Sequence, residues 1–449
     1  MTPAPARPAR RELGRSAAVA ALALGLGACA REQAEEPAPT AAPVPTPDEP
    51  LILASLGSAA GPLADGEESI ATALAEAMID VNASADGVFG HSARLLDRKL
   101  VDGPEDDLVG IVQGFAEAGA SAVISSLDEE TLAAALPALS EQGLAVLDLT
   151  TSGMSVRAAE VDTAGMLLRL SPSMRMLAVH LAEDALAVDT GDDGTAPGTV
   201  TVLTEETAAG TSLTEELSRV LDPAGGAVLA EHRYPVGGPD EARRGEIVQA
   251  VLAEPTALLI LHGGDEAGAL LAALHTAAEQ EEKQAPPVCL FPRATIDRTA
   301  EELPEGTLDQ VTGFRMGGAL PEDFANLLLN ADAELRHPRP GRTQQAYDAV
   351  VLAALAAEAA ASRRGSALAT ALPRLLTGAQ ACTTAADCAA LIREARTASR
   401  TPSTAYRGVT GELVLGESGD PVRAEVTPIS YDASGAAVEE EPRTLELEE

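Results

Sequence analysis

The sequence predicts an α/β protein built from two doubly wound lobes. Short runs of consecutive apolar residues, bounded by glycine or acidic residues, are typical of strands buried on both faces of a parallel sheet. Such runs occupy residues 51–57, 121–126, 144–151, 200–206 and 257–264. Helical segments alternate with these runs, and a repeated strand-helix-strand order predicts doubly wound α/β layers.

The first 28 residues predict a cleaved export signal. Its basic part contains Arg7, Arg10, Arg11 and Arg15. The apolar run that follows, residues 17–28, is too short to cross a bilayer as a mature helix. Leu26-Gly27-Ala28-Cys29 match the bacterial lipobox, so we expect Cys29 to be acylated and to attach the mature chain to a membrane. An ordinary secretory signal with an incidental cysteine is the alternative, and the basic residues fit either general or twin-arginine export.

Residues 29–50 predict a flexible tether. The segment is rich in proline, alanine and glutamate and has no apolar period. Such a composition cannot bury enough apolar surface to fold, so the chain stays extended. We expect this tether to hold the folded body, which begins at Leu51, away from the membrane.

Two series of strands and helices follow the tether, over residues 51–172 and 173–313. The first helix of the first series has an apolar stripe formed by Ile70, Leu74, Met78 and Val81. Residues 314–408 are mostly helical, and residues 409–449 contain a turn-rich strand pair. Helices that follow a completed series need a sheet to cover. We therefore expect residues 314–408 to return to the first lobe and residues 409–449 to the second.

The charge of the chain argues against nucleic acid as a partner. Lys plus Arg total 31 and Asp plus Glu total 69, which gives a formal net charge of −38. A polyanion is repelled by such a chain, and no basic patch rich in aromatic residues interrupts the acidic composition.

The remaining cysteines fit an oxidising compartment. Five residues separate Cys382 from Cys388, a spacing that permits a small disulfide loop and lacks the second Cys or His pair of a zinc site. We expect these two to form a disulfide. Cys289 lies in a short apolar run, which predicts a buried core thiol rather than a nucleophile.

Several stretches resemble one family, and they do so in that family's order. "GSAAGPLADGEESIATALAEAMIDVNA" matches an opening strand, a Gly-Pro-Leu turn and a helix; "GASAVISSLDEETLAAALPALSEQGLAVLDLTTS" matches a second strand with its Ser-containing loop and the following Thr/Ser loop. "AYDAVVLAALAAEAA" and "YRGVTGELVLGESGDP" match the C-terminal third. The chain resembles type I periplasmic binding proteins, specifically ABC transporter substrate-binding lipoproteins of the leucine/isoleucine/valine-binding type.

This resemblance implies two lobes joined by three crossovers, with a small solute enclosed between them by hinge motion. It implies a monomeric solute-binding lipoprotein on the extracytoplasmic face of a bacterial membrane, which delivers an amino acid or similar polar solute to an ABC permease. It implies no cofactor. The alternative is a sensory, regulatory or envelope-assembly lipoprotein that keeps the fold and binds other partners.

The resemblance also implies where the solute contacts lie. Carried over by position, they are Ser125 and Ser126, Thr151 and Ser152, Asp65 and Gly66, Ala209 and Gly210, and Asp265. The first two would bind a solute carboxylate, and the second two would supply hydroxyl and backbone groups from a facing loop. The family's aromatic residues near Ala209 and Gly66 are absent here, and Pro292-Arg293 stand where an acid commonly meets the solute ammonium.

Four candidate cleft loops carry acids, which leaves two interpretations open. The acids are Asp65, Glu67 and Glu68; Asp128, Glu129 and Glu130; Glu205 and Glu206; and Asp265 and Glu266. If they converge, the cleft favours a cation. Each group also falls at a predicted helix start, where the helix dipole favours negative charge. Ser126 and Glu129 fit a capping box, which supports the second interpretation.

Enzyme motifs are not found in the sequence. There is no G-x-S-x-G elbow, no H-E-x-x-H pair, no phosphate loop and no dinucleotide fingerprint. The six histidines are scattered, without a nearby nucleophile signature. We therefore expect no catalytic residue, no metal and no enzymatic activity.

Overall fold

The first lobe is a parallel sheet covered by helices. A computed structural model describes residues 46–158, 165–188, 195–333 and 342–447; Cys29, the predicted signal and most of the predicted tether lie outside them. The strands are β1 (Ile52–Ser58), β2 (Arg94–Leu95), β3 (Lys99–Val101), β4 (Ala122–Ser126), β5 (Ala145–Asp148) and β6 (Leu167–Arg169). Their order is β2-β1-β4-β5-β6, and β3 also pairs with β1. The helices are α1 (Glu67–Ala83), α2 (Leu108–Glu117) and α3 (Glu129–Glu141).

The second lobe repeats this arrangement. Its helices are α4 (Met174–Ala187), α5 (Ala208–Ala224), α6 (Glu241–Ala253) and α7 (Ala267–Gln280). Its parallel strands are β7 (Thr199–Glu205), β8 (Ala227–Tyr234), β9 (Leu258–His262), β10 (Val288–Leu290) and β11 (Val311–Met316). The predicted fold class, two doubly wound α/β lobes, is confirmed. None of the helices within the described ranges is long and apolar enough to span a membrane.

The C-terminal third is divided between the two lobes. Its helices are α8 (Glu322–Ala331), α9 (Arg342–Ala360), α10 (Gly365–Leu375) and α11 (Ala385–Thr397), and a short parallel pair is formed by β12 (Gln380–Cys382) and β13 (Thr404–Tyr406). The buried helix α9 packs on α1 of the first lobe. The second sheet gains β14 (Leu413–Leu415), β15 (Pro421–Tyr431), β16 (Ala437–Glu439) and β17 (Arg443–Glu446), with β15 antiparallel to β11. The boundaries at residues 172, 313 and 408 stay predictions, although β11 continues past residue 313.

Polar side chains fix where several helices begin. In the described chain, side-chain caps accept backbone N–H groups at Asp107, Asp128, Ser173, Thr207, Asp240 and Thr384. The predicted capping box of Ser126 and Glu129 is wrong. Asp128 caps α3 instead, accepting from the amides of Glu130 and Thr131 at 3.0 Å. Helix α3 therefore starts where the sequence indicates, but through a different side chain.

Glycines allow two of the crossovers between the lobes to turn sharply. Gly317 and Gly411 have φ values of +96° and +91°, a region that residues with a Cβ rarely adopt. The two crossovers lie side by side, since the amide of Gly318 donates to the carbonyl of Thr410 at 2.8 Å. The third crossover connects β6 to α4, where the Ser171 hydroxyl donates to the carbonyl of Leu149 at 2.7 Å.

The tip of the β14–β15 hairpin lies against the first lobe. The carbonyl of Gly419 accepts the backbone N–H of Arg169 in β6 at 2.9 Å. The Asp420 carboxylate accepts from Nε and Nη2 of Arg157 at 3.1 and 2.8 Å. A hairpin of the second sheet is thus bonded to the last strand of the first, next to the crossovers.

The cysteines within the described residues match their predicted roles. Cys382 and Cys388 form a disulfide between β12 and the first turns of α11, with Cα atoms 5.4 Å apart. Cys289 is buried in β10, and burial raises its pKa to about 12. Because the thiolate is the reactive form, this thiol is inert at neutral pH.

Candidate functional site

A cleft of about 410 Å³ lies between the carboxyl ends of the two parallel sheets. In the first lobe its walls are residues 60–63, 127–130 and 149–152; in the second they are residues 206–209, 262–263 and 291–293. Arg342 and Gln345, from the first turn of α9, also line the cleft. In open α/β sheets this is the edge at which ligands bind, because the strand-to-helix loops converge there.

Three of the nine predicted contact residues form part of this wall. They are Thr151, Ser152 and Ala209. Ser125, Ser126, Asp65, Gly66, Gly210 and Asp265 lie outside it, and solute contact by all nine stays a prediction. The loop after β4 presents residues 127–130 to the cleft in place of its two serines.

The Ser126 hydroxyl is hydrogen-bonded to other residues of the first lobe. It donates to Oε1 of Glu67 at 2.7 Å and accepts from Nη2 of Arg98 at 2.7 Å. Arg98 and Glu67 also form an ion pair, and the Glu67 carboxylate is only 7% exposed. Ser125 is fully buried, and its hydroxyl accepts from the amide of Leu127 at 3.4 Å. Both hydroxyls thus belong to the packing of β4 against its neighbours.

Thr151 reaches the cleft from a buried polar network. Its hydroxyl donates to Asp148, whose carboxylate also accepts the amides of Thr150 and Thr151 at 3.1 and 3.2 Å. Burial raises the pKa of Asp148, and the nearby Arg169 guanidinium opposes that rise. Since the hydroxyl proton of Thr151 is used, what remains for a solute is its acceptor capacity, which suits an N–H donor.

Arg293 brings a cation to the wall of the second lobe. Its Nη1 lies 2.5 Å from Oε2 of Glu205, a fully buried carboxylate that also accepts the amide of Gly237 at 3.1 Å. The guanidinium is 24% exposed and has further N–H donors. At the position where the resemblance leads one to expect an acid, the structure holds a paired arginine that can bind a solute carboxylate.

An aromatic wall comes from residues that are not among the predicted contact residues. The rings of Phe291 and His262 meet edge to face, with centroids 4.8 Å apart and an interplanar angle of 78°. The rings of Phe291 and Phe314 also meet edge to face, with centroids 5.3 Å apart. The aromatic surface missing near Ala209 and Gly66 is thus supplied by the ends of β9 and β10, and it offers an apolar face to a ring or branched chain.

His262 stays neutral at physiological pH. Burial, reinforced by the charge of Arg293, lowers its pKa to about 4. Its Nδ1 lies 3.1 Å from the hydroxyl of Thr204. The imidazole that lines the cleft is therefore uncharged.

We predict that stability falls between about pH 6.5 and pH 4 through His262. The unfolded residue has its ordinary pKa near 6.5 and the folded one a pKa of about 4, so the unfolded state takes up the proton first as the pH falls. The contribution of neutral His262 to the free energy of unfolding is complete above about pH 6.5 and is lost as the pH approaches 4. In urea denaturation followed by far-UV circular dichroism, His262→Gln should lose less stability than the natural chain across this window. Equal pH slopes would contradict the prediction.

The acids of the candidate loops are mostly held by local partners. Asp128 caps α3, Glu129 accepts the amide and hydroxyl of Ser155 at 2.8 and 2.5 Å, and Glu266 accepts the Tyr234 hydroxyl at 2.9 Å. Of these acids, Asp128, Glu129, Glu130 and Glu206 reach the cleft, together with Asp102 and two arginines. The wall is therefore mixed in charge. Over the described ranges, no three His, Cys, Asp or Glu residues are grouped so as to hold a metal.

Gln345 is the least satisfied polar residue of the wall. Its side chain is 1% exposed, and neither the amide oxygen nor the amide nitrogen has a hydrogen-bond partner among the described residues. Gln345 is not among the nine contact residues that the resemblance implies.

Comparison with known proteins agrees with this geometry. No protein-family model and no curated protein matches the chain. Among solved structures, an ABC transporter substrate-binding protein from Desulfitobacterium hafniense, in complex with Leu, is similar at 16% identity and a TM-score of 0.62, covering 87% of this chain and 100% of that one. A solute-binding protein from Rhodopseudomonas palustris HaA2, in complex with p-hydroxybenzoic acid, is similar at 12% identity and a TM-score of 0.64, covering 89% and 97%.

A third similar structure is a branched-chain amino acid transporter substrate-binding protein from Streptococcus pneumoniae, in complex with isoleucine. It is 13% identical with a TM-score of 0.59, and the match covers 87% of this chain and 100% of that one. The chain therefore has the type I periplasmic binding fold. Within that class, its structure is similar to the substrate-binding proteins of the leucine/isoleucine/valine-binding type.

Proposed function

We propose that this protein is an extracytoplasmic solute-binding lipoprotein, which captures a small polar solute between its lobes for an ABC importer. The observation that carries the proposal is the cleft itself. Its walls come from the strand-to-helix loops of two separate sheets, and two of the crossovers that join the sheets lie side by side. Such an arrangement lets the lobes rotate about one edge and enclose a solute.

The lobes also contact each other directly, through a hydrogen bond between the loop after β5 and α5. The amide of Met154, in the loop after β5, donates to the hydroxyl of Ser212 in α5 at 3.3 Å. A bond of this kind forms and breaks as the cleft closes and opens. Closure also brings a defined face of both lobes together, which is what a permease partner would recognise.

The chemistry of the wall favours an amino acid or a similar small acid as the solute. Arg293 can bind a carboxylate, Thr151 can accept from an N–H group, and Phe291 offers an apolar surface. The similar structures hold leucine, isoleucine and p-hydroxybenzoic acid, each a small carboxylate with an apolar part. Attachment through a lipidated Cys29, the tether of residues 29–50 and a monomeric state belong to the same proposal.

The proposal predicts that small acids raise the melting temperature of the purified chain. We suggest screening amino acids, hydroxybenzoates, polyamines and short peptides by differential scanning calorimetry, because the chain has no Trp to report unfolding by fluorescence. A solute at about 100 times its dissociation constant should add about 2.7 kcal/mol to the free energy of unfolding. Arg293→Leu should abolish the shift given by acids.

A matched control is Arg243→Leu, which removes an arginine from an exposed ion pair on α6 and should leave the shift unchanged. If no small molecule stabilises the chain, the importer role fails. The sensory, regulatory or envelope-assembly role would then be the one to pursue.

A further inference from the structure

Two consecutive glutamines lie in the first turn of a largely apolar helix. Helix α9 contains Gln344 and Gln345 in its first turn, and these side chains are 0% and 1% exposed. A buried amide destabilises a fold unless its donors and its acceptor are hydrogen-bonded. The two neighbours differ in this respect.

Gln344 is bonded to the crossovers. Its Nε2 donates to the carbonyls of Val409 and Gly318, the second at 3.4 Å, and its Oε1 accepts from Arg315 Nη1 at 3.2 Å. Every polar atom of this amide has a partner, so its role is to join α9 to the crossovers.

Gln345 has no such role. It lines the cleft, and its Oε1 and Nε2 are both buried without a partner among the described residues. A methionine of similar length would avoid this loss of hydrogen bonds, so the amide weakens the solute-free chain. Its place in the cleft wall indicates that this amide has a role in binding the solute.

The shape of an amide selects its partner. Gln345 presents N–H donors and a carbonyl acceptor side by side in one plane. A carboxylate offers only acceptors and leaves Oε1 unpaired, whereas an ammonium offers only donors and leaves Nε2 unpaired. Another amide satisfies both atoms at once. Leaving a buried polar atom unpaired is what makes such a site discriminate strongly.

We propose that Gln345 is a solute-contacting residue and that the solute carries an amide group: a primary carboxamide, a lactam or the amide edge of a heterocycle. This inference rests on the proposed solute-binding function and narrows its solute class. Arg342, three residues earlier in the same turn of α9, lies in the same wall.

The first test compares solutes that carry an amide with matched solutes that lack it. Isothermal titration calorimetry of the purified chain would use nicotinamide against nicotinate, benzamide against benzoate, L-glutamine against L-glutamate and pyroglutamate against L-proline. We expect the amide member of at least one pair to bind at least about tenfold more tightly. Gln345→Met should remove that preference. Solutes that bind without any preference for the amide would overturn this inference and leave the proposed function standing; failure of every solute in this and the wider screen would overturn both.

The second test needs no solute. Gln345→Met should raise the melting temperature of the solute-free chain by about 2 °C, because the variant removes unpaired buried atoms. Gln344→Met, the matched control, should lower it, because it breaks the bonds to Gly318 and Val409. A lower melting temperature for Gln345→Met would show that this amide is bonded within the fold, and the proposal would fail.

Discussion

Replacing Arg169 by methionine is expected to lower the free energy of unfolding by about 3–5 kcal/mol, because the change leaves buried negative charge without its partner. Arg169 is 0% exposed. Its Nε lies 4.0 Å from Oδ2 of Asp148 and 3.5 Å from Oδ1 of Asp420, and its Nη1 donates to the carbonyl of Ser152 at 3.2 Å. The guanidinium thus joins β5, the Thr151 loop and the hairpin of the second sheet.

Urea denaturation followed by far-UV circular dichroism would measure this loss. The control is Arg243→Met, which breaks an ion pair whose side chains are 46% and 68% exposed. Such exposed pairs contribute about 0–1 kcal/mol. A double variant in which Asp148 is also replaced by asparagine should recover part of the stability, since the uncompensated charge is then removed. If Arg169→Met costs no more than Arg243→Met, the buried network does not stabilise the fold.

The second large effect is expected at Asp348, where alanine should cost about 3 kcal/mol or more. The fully buried carboxylate accepts the Tyr406 hydroxyl at 2.6 Å and the amides of Val409 and Thr410 at 3.2 and 2.7 Å. Alanine leaves three donors unpaired, and the two that are buried, the Tyr406 hydroxyl and the Thr410 amide, each cost about 1–3 kcal/mol. Because two of these donors lie in a crossover, solute affinity should fall as well.

Asp348→Asn is the matched variant for this prediction. It keeps the oxygen that accepts from Tyr406 and Val409 and loses only the bond from Thr410, so its free energy of unfolding should lie between those of the natural chain and Asp348→Ala. Denaturation under the same conditions would rank the three. Equal losses for the two variants would mean that the charge of Asp348, and not its hydrogen bonds, carries the effect.

The strands of both sheets could be predicted because burial on both faces leaves a continuous apolar run. The run at residues 257–264 became β9, and the return of the C-terminal helices to α1 followed from their need for a partner. The capping box at Ser126 failed because S-x-x-E describes spacing alone. The Ser126 hydroxyl donates instead to the carboxylate of Glu67, which lies 59 positions away in the sequence. Only the folded chain brings these two residues together.

The cleft was harder to predict than the fold. Its location could be predicted because ligands bind at the carboxyl ends of parallel strands. Some of the contact residues implied by the resemblance, such as Ser125 and Ser126, are instead buried within the first lobe. Two wall residues left a signal in the sequence: Arg293 stands where the resemblance implies an acid, and Phe291 is one of only five phenylalanines. Their contacts with Glu205 and with His262 could not be predicted, because those partners lie on neighbouring strands. The adjacent glutamines in "TQQAYDAVVLAALAAEAA" were a usable signal, since amides are rare in so apolar a helix.

The hairpin that lies against β6 also covers an edge of the first sheet. A strand at the edge of a sheet exposes unpaired backbone groups, which can recruit a strand from another molecule and start aggregation. β6 is such an edge, but two of the backbone groups that do not bond to β5 are occupied: the N–H of Arg169 by Gly419 and the carbonyl of Leu167 by Arg157 at 3.1 Å. The same contact that links the lobes therefore closes an edge to intermolecular β-pairing.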